Sequence, residues 1–179
     1  MPELWTLAVS APMRIRTVQI IIASLALLIY GCSKRTPPAA WSSSESVIVE
    51  PGVAIGPVHS GMTIRQVMTD LGRPNNGVVP TPPDEGCLVY TNIGLGVWFD
   101  SGGRIVSVSV GQPFAGHTKE GIGLGASRAD VIKEYGEPTA TNTLPNSSFE
   151  LLRYEQRGIR FSLHDGKIDE IVVAFKPKK

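Results

Sequence analysis

One phrase occurs twice in this chain, and an internal repeat constrains architecture more than any other sequence feature. Gly61-Met-Thr-Ile-Arg-Gln-Val-Met-Thr-Asp-Leu-Gly-Arg-Pro74 returns as Gly125-Ala-Ser-Arg-Ala-Asp-Val-Ile-Lys-Glu-Tyr-Gly-Glu-Pro138, 64 residues on when Gly61 is laid over Gly125. Tyr90 and Tyr154 keep that offset. Gly96-Val-Trp-Phe99 is echoed by Gly158-Ile-Arg-Phe161, and Arg104-Ile105 by Lys167-Ile168.

Each copy opens with a helix signal. Thr63-x-x-Gln66 and Ser127-x-x-Asp130 have capping-box spacing. Ile64, Val67, Met68 and Leu71 then fall at i, i+3, i+4 and i+7, a helical core stripe. Val131, Ile132 and Tyr135 repeat it, with Arg128 in place of Ile64. Gly72 and Gly136 stand where a left-handed C-cap residue belongs, and Pro74 and Pro138 follow as stops. Helices of about two turns cannot stand alone and need a sheet to pack on.

A Pro/Asn-rich loop follows in each copy, and then three runs with strand alternation. These are Cys87–Thr91, Gly96–Phe99 and Ile105–Val110, then Leu151–Glu155, Ile159–Leu163 and Ile168–Ala174. Asn92/Gly94, Ser101-Gly-Gly103, Arg157-Gly158 and Asp165-Gly166 supply hairpin turn chemistry, so the runs are antiparallel neighbours. The expected fold class is therefore α+β: two tandem copies of a short helix followed by a three-stranded antiparallel meander. Repeat 1 is expected over residues 51–114 and repeat 2 over 115–179, ending in the short basic tail Lys176-Pro-Lys-Lys179.

The amino terminus reads differently. Arg14-Ile-Arg16, an apolar run from Thr17 to Tyr30 and Gly31-Cys32 describe an export signal over residues 1–31. The apolar run is shorter than the ~20 residues a membrane-spanning helix needs. Met13 ahead of Arg-Ile-Arg makes a more typical signal start, so residues 1–12 read as an extension of the true beginning. Ile29-Tyr30-Gly31-Cys32 resembles the bacterial lipobox, with Tyr30 where a small residue is usual. The resemblance implies cleavage before Cys32 and lipidation of its thiol. Acyl chains at about 0.8 kcal/mol per buried methylene would then hold the chain to the membrane. Ser33 in place of aspartate implies the outer membrane. An uncleaved helix or a plain secreted protein are the alternatives. Residues 32–50, rich in Ser and Pro to Ser46, read as a tether, with a first short strand at Ser46-Val-Ile-Val-Glu50.

Composition excludes several function classes. The chain has 17 basic and 16 acidic residues and a net charge of +1, without the basic stripe that nucleic acid requires. His59, His117 and His164 are scattered, and no His-x-x-His or Cys-x-x-Cys spacing marks a metal site. No Gly-x-Ser-x-Gly elbow is present. Gly121-Ile-Gly-Leu-Gly125 reads as a loop into a helix cap rather than a phosphate cradle. No catalytic, cofactor or metal residue is assigned, and a non-enzyme is expected. Cys87 corresponds to Leu151 in the other copy and reads as a buried small hydrophobe.

Alternation along the strands sorts the faces. Val97, Phe99, Ile159 and Phe161 point to the core. Trp98 and its counterpart Arg160 point to the other face, with Ser107, Ser109 and Glu170. Trp and Arg on an open sheet face are hot-spot residue types, so Trp98 and Arg160 are the candidate partner-binding residues. A Trp98 covered by the other repeat or a loop would instead be packing, and the sequence leaves both open.

The repeated order Gly-(Met/Ala)-(Thr/Ser)-x-x-(Gln/Asp)-Val, (Leu/Tyr)-Gly-x-Pro, Tyr, Gly-(Val/Ile)-x-Phe, Gly-(Arg/Lys)-Ile resembles the SmpA/OmlA-type outer-membrane lipoproteins, including the BamE subunit. The lipoprotein subunit has one such unit. The tandem form resembles the fold of the β-lactamase inhibitory protein. The resemblance spans about residues 51–175. It implies an envelope lipoprotein on the periplasmic side of the outer membrane that binds a protein partner, in outer-membrane assembly or integrity. The alternatives are an inhibitor of a periplasmic or secreted hydrolase and, below it, a small hydrolase.

Overall fold

Thr63 and Ser127 start the two helices found among the described residues of the computed structural model, which are 47–75, 86–143 and 147–175. The expected signal, Cys32, the tether up to residue 46, most of the first Pro/Asn-rich loop and Lys176–Lys179 lie outside them. Helix α1 is Ile64–Leu71 and helix α2 is Arg128–Tyr135. Both capping boxes are closed. The Gln66 amide donates to Thr63 Oγ1 at 3.4 Å, and the Thr63 amide to Gln66 Oε1 at 2.9 Å. The Asp130 amide donates to Ser127 Oγ at 3.2 Å, and the Ser127 amide to Asp130 Oδ2 at 2.9 Å. Each box satisfies helix-end amides that have no partner within the helix. Both helices end on glycine, but not in the expected left-handed helical conformation. Gly72 has φ 82 and ψ −168, and Gly136 has φ 75 and ψ −167. Only glycine occupies that region readily.

Eleven strands surround the helices among the described residues: β1 (Ile48–Glu50), β2 (Ala54–Ile55), β3 (Val58–His59), β4 (Gly86–Tyr90), β5 (Leu95–Phe99), β6 (Ile105–Val110), β7 (His117–Thr118), β8 (Ala140–Thr143), β9 (Phe149–Tyr154), β10 (Ile159–His164) and β11 (Lys167–Ala174). They make a seven-stranded antiparallel sheet in the order β4-β5-β6-β11-β10-β9-β8 and a four-stranded sheet in the order β3-β2-β1-β7. In the small sheet β1 pairs with β7 in parallel.

The expected fold class is corrected by this topology. The chain is mainly β, built on two sheets with two short helices among the described residues, and not on two tandem helix-plus-three-strand units. Of the second sheet only β1 was expected, as the first short strand; β2, β3 and β7 were missed because two residues are too few to show alternation. Strand β8 was missed because Ala140-Thr-Asn-Thr143 lies in a stretch that reads as loop. Pairing of β6 with β11, Val110 opposite Ile171 and Val108 opposite Val173, makes one continuous sheet.

One cluster of buried side chains joins the helices and both sheets. Val67 and Val131 from the helices meet Leu88, Val97, Val108, Phe161 and Ile171 from the large sheet, and Val49 and Ile55 from the small one. Apolar burial at about 25 cal/mol per Å² is what holds such short elements in place. The core therefore takes one face of the seven-stranded sheet, and the alternate residues form the opposite face.

Candidate functional site

The face opposite the core is organised by register. Leu88, Val97, Phe99, Val108, Leu152, Phe161 and Ile171 are buried on the core side. Their neighbours along each strand point the other way. Val89 lies opposite Gly96, Gly96 opposite Ser109, Ser109 opposite Val172, Val172 opposite Arg160, and Arg160 opposite Arg153. One straight row thus crosses six strands. The adjacent row runs Cys87, Trp98, Ser107, Ala174. Trp98 and Arg160 therefore share one face, three strand steps and one row of two residues apart, or roughly 16 Å at the usual strand spacings.

Trp98 is 46% exposed, and Arg160 is exposed as well. The expectation that Trp98 and Arg160 lie together on the outer face thus matches their placement. Ser107, Ser109, Ser162, Glu170 and Val172 are on it too, although Ser109, Ser162 and Val172 are buried, at 8%, 5% and 2%. For Ser109 the reason lies at Gly96. A Cβ built there would fall 2.7 Å from Ser109 Oγ, 3.5 Å from Cys87 Sγ and 3.7 Å from Trp98 Nε1. Three side chains converge on the space that the missing one leaves, and the indole leans over the strand.

Cys87 is not a core residue. It is half-buried on this face beside Trp98. Leu151, its counterpart in the repeat, is half-buried on the same face. Laying one copy on the other matched the positions correctly, but both belong to the outer side. Burial pushes the Cys87 thiol above its ordinary value, against a hydrogen bond with the Val97 backbone and with help from the Glu170 carboxylate. A raised thiol is a poor nucleophile.

At the other end of the row two arginines face each other. Arg153 on β9 is directly opposite Arg160 on β10. None of the ion pairs among the described residues includes either. Glu170, on the same face, is held by Ser162, whose hydroxyl donates to Glu170 Oε2 at 3.2 Å. Arg153 Nε is buried without a hydrogen-bond partner. Sequence reasoning missed Arg153. The signal was the turn between Tyr154 and Ile159, which pair directly and so place Arg153 across from Arg160.

The histidines are brought together nowhere. His59 Nδ1 lies 3.0 Å from the Ser60 carbonyl, His117 Nδ1 2.8 Å from the Thr118 carbonyl, and His164 Nδ1 3.5 Å from Asp165. Among the described residues no group of three His, Cys, Asp or Glu could hold a metal ion. A cleft of about 430 Å³ is lined by Pro113, Phe114, His117, Gly121, Gly123 and Leu124 among others. His117 is its one ionisable lining residue, so it lacks a second group for paired acid–base chemistry. No helix of the described residues is long and apolar enough to cross a membrane. Cys32, the expected lipidation site, lies outside them.

No family model and no curated protein matches the chain. Among solved structures it is similar to a DUF4309 family protein from Bacillus subtilis, at 16% identity over 64% of this chain and 78% of that one, with a TM-score of 0.44. It is also similar to a cysteine-rich secretory protein from Staphylococcus aureus, at 14% identity over 74% and 49% of the two chains, with a TM-score of 0.45. An extracellular protein containing an SCP domain from Bacillus anthracis follows, at 10% identity over 65% and 44%, with a TM-score of 0.41. The matches span about half of the last two proteins. None of the three is an SmpA/OmlA lipoprotein or a β-lactamase inhibitory protein. The two-sheet, mainly β topology corrects the family resemblance drawn from the repeated motifs. Those motifs mark helix caps and hairpin turns, which unrelated folds share.

Proposed function

We propose that this protein is a non-catalytic envelope lipoprotein, anchored through Cys32 to the outer membrane and facing the periplasm, that binds another protein on the face of its seven-stranded sheet that carries Trp98 and Arg160. The observation that carries the reading is Trp98, 46% exposed on a face it shares with Arg160. An antiparallel sheet can leave one face to solvent. A large indole held there covers little of the chain's own core and offers a rigid, amphipathic anchor. No cofactor or metal enters the reading. The anchor and the compartment rest on the basic, apolar and cysteine order of residues 14–32.

Crosslinking in native envelopes followed by mass spectrometry tests partner and location together. A Trp98→Ala, Arg160→Ala double variant with unchanged circular dichroism is expected to lose the crosslinked partner. Truncating a hot-spot Trp costs about 2 kcal/mol or more, some thirtyfold in affinity. Retention of every partner at wild-type yield sinks the sheet-face reading. Absence of acylated Cys32 in the mature protein sinks the anchor.

A further inference from the structure

The opposed arginines carry an inference that deepens the sheet-face reading and rests on it. Like charges placed directly opposite on neighbouring strands destabilise a sheet, by about 0.2–1 kcal/mol. Arg153 and Arg160 are such a pair. No acid among the described residues makes an ion pair with them. Glu170 is diagonal to Arg160, since Ser162 is opposite Glu170 where Arg160 is opposite Val172. Diagonal side chains start ~7–8 Å apart, and the Glu170 carboxylate is turned to Ser162 Oγ. Burial of Arg153 Nε without a partner is a second cost, because a desolvated donor left unmade is expensive.

We propose that Arg153 and Arg160 form a two-sided clamp for a carboxylate, supplied by an acidic side chain of the bound protein, while Trp98 takes an apolar side chain of the same segment. An anion between the guanidiniums turns their repulsion into two attractions and gives Arg153 Nε–H an acceptor. Guanidinium and carboxylate match as planar, bidentate partners. Trp98 and Arg160 are roughly 16 Å apart and four residue steps of extended chain span about 13–14 Å, so one strand laid obliquely across the sheet brings two same-side residues within reach of these long side chains. A proline-free segment with an acidic residue about four positions from an apolar one is the partner chemistry that fits.

The test uses the full chain with nitrogen-15 arginine and tryptophan, and as the probe a capped threonine-rich peptide with one leucine and one glutamate four positions apart, on the same side of the extended chain. The Nε–H signals of Arg153 and Arg160 are expected to shift saturably with it, at least tenfold more tightly than with the glutamine counterpart. Arg153→Gln or Arg160→Gln removes that preference, and Arg160→Lys restores only part of it. Three outcomes overturn the clamp: no arginine shift up to millimolar glutamate peptide, equal binding of the glutamine peptide, or saturation of the same signals by inorganic phosphate at the same concentrations with the Trp98 indole signal unmoved. If the Trp98 indole moves equally with both peptides, the clamp fails while the sheet-face reading stands. That reading is decided separately, by crosslinking with the Trp98→Ala, Arg160→Ala variant.

Discussion

The Tyr154 hydroxyl donates to the carbonyl of Gly136 at 2.7 Å, tying strand β9 to the end of helix α2. Tyr90 makes the same bond to Gly72 at 2.9 Å, tying β4 to the end of α1. Each accepting carbonyl belongs to the glycine that ends a helix, where carbonyls lack partners within the helix. Tyr154→Phe and Tyr90→Phe keep the ring and remove only this bond. Each is expected to lose about 0.5–1.5 kcal/mol in urea unfolding, and the double variant about the sum, since the two sites share no partner. Tyr154 also packs edge-on to Phe161 at 5.9 Å, a contact that phenylalanine retains. The Tyr90 phenol adds a pH signature. Burial pushes its pKa up to about 12. A folded value above the unfolded one, near 10, means that the contribution is full below about pH 10. It is lost as pH rises toward 12. Tyr90→Phe is expected to flatten that alkaline limb.

The matching bonds show which parts of the fold are legible in the sequence and which are not. Thr63 with Gln66 and Ser127 with Asp130 announce the helix starts, because a capping box is a local hydrogen-bond pattern with fixed spacing. The six longer strands show in alternation, since burial of Val97 and Phe99 but not Trp98 is written residue by residue. Of the small sheet only its first strand is legible. Val49 reaches its partner Thr118 across 69 residues of chain, and strands of two residues carry no period. The same gap defeated the two-unit architecture. Half of the candidate site was readable. Trp98 and Arg160 fall on one face by alternation alone. The clash of Arg153 with Arg160 needs register, and the exposure of Trp98 depends on what the rest of the chain leaves uncovered.

Gly136 and Gly158 separate two reasons for glycine. Gly136 has φ 75, and a Cβ there would meet nothing within 4 Å. Gly136→Ala therefore costs backbone strain alone, about 1–3 kcal/mol. Gly158 has φ 67, and its Cβ would fall 2.7 Å from Gly52 Cα and 2.8 Å from the Ala174 carbonyl oxygen. Both are backbone atoms that cannot swing aside. Gly158→Ala adds overpacking of about 1–3 kcal/mol to the strain. Thermal unfolding is expected to rank Gly158→Ala well below Gly136→Ala. Equal losses would show that the turn at Gly52 yields easily.

The two capping boxes differ in one chemical respect, since Asp130 titrates and Gln66 does not. The Ser127 hydroxyl, and then its amide, hold the Asp130 carboxyl below its usual value. A depressed folded pKa gives stability that is present above the unfolded value, near 3.9, and is lost as pH falls through the folded one. Asp130→Asn is expected to be less stable than wild type at pH 7 and to converge with it in strong acid. Gln66→Glu in the other box would create the same acid limb at α1. Denaturant melts from pH 2 to 7 measure both.

Cys87 is the last test, because it reports on Trp98 from beside it. Its thiol is raised by burial, and its sulfur lies with the indole over Gly96. Thiolate is the reacting form, so iodoacetamide at pH 7.5 is expected to label Cys87 more slowly than a free cysteine, as followed by mass spectrometry of its peptide. Removing the indole in Trp98→Ala exposes the sulfur and relieves its desolvation, and labelling is expected to speed up severalfold. Ser109→Ala, which leaves the indole in place, is expected to change the rate little. A partner seated on the face covers Cys87 along with Trp98, so labelling in native envelopes is expected to be slower than on the purified protein. Equal rates in the two settings would count against occupancy of this face in the cell.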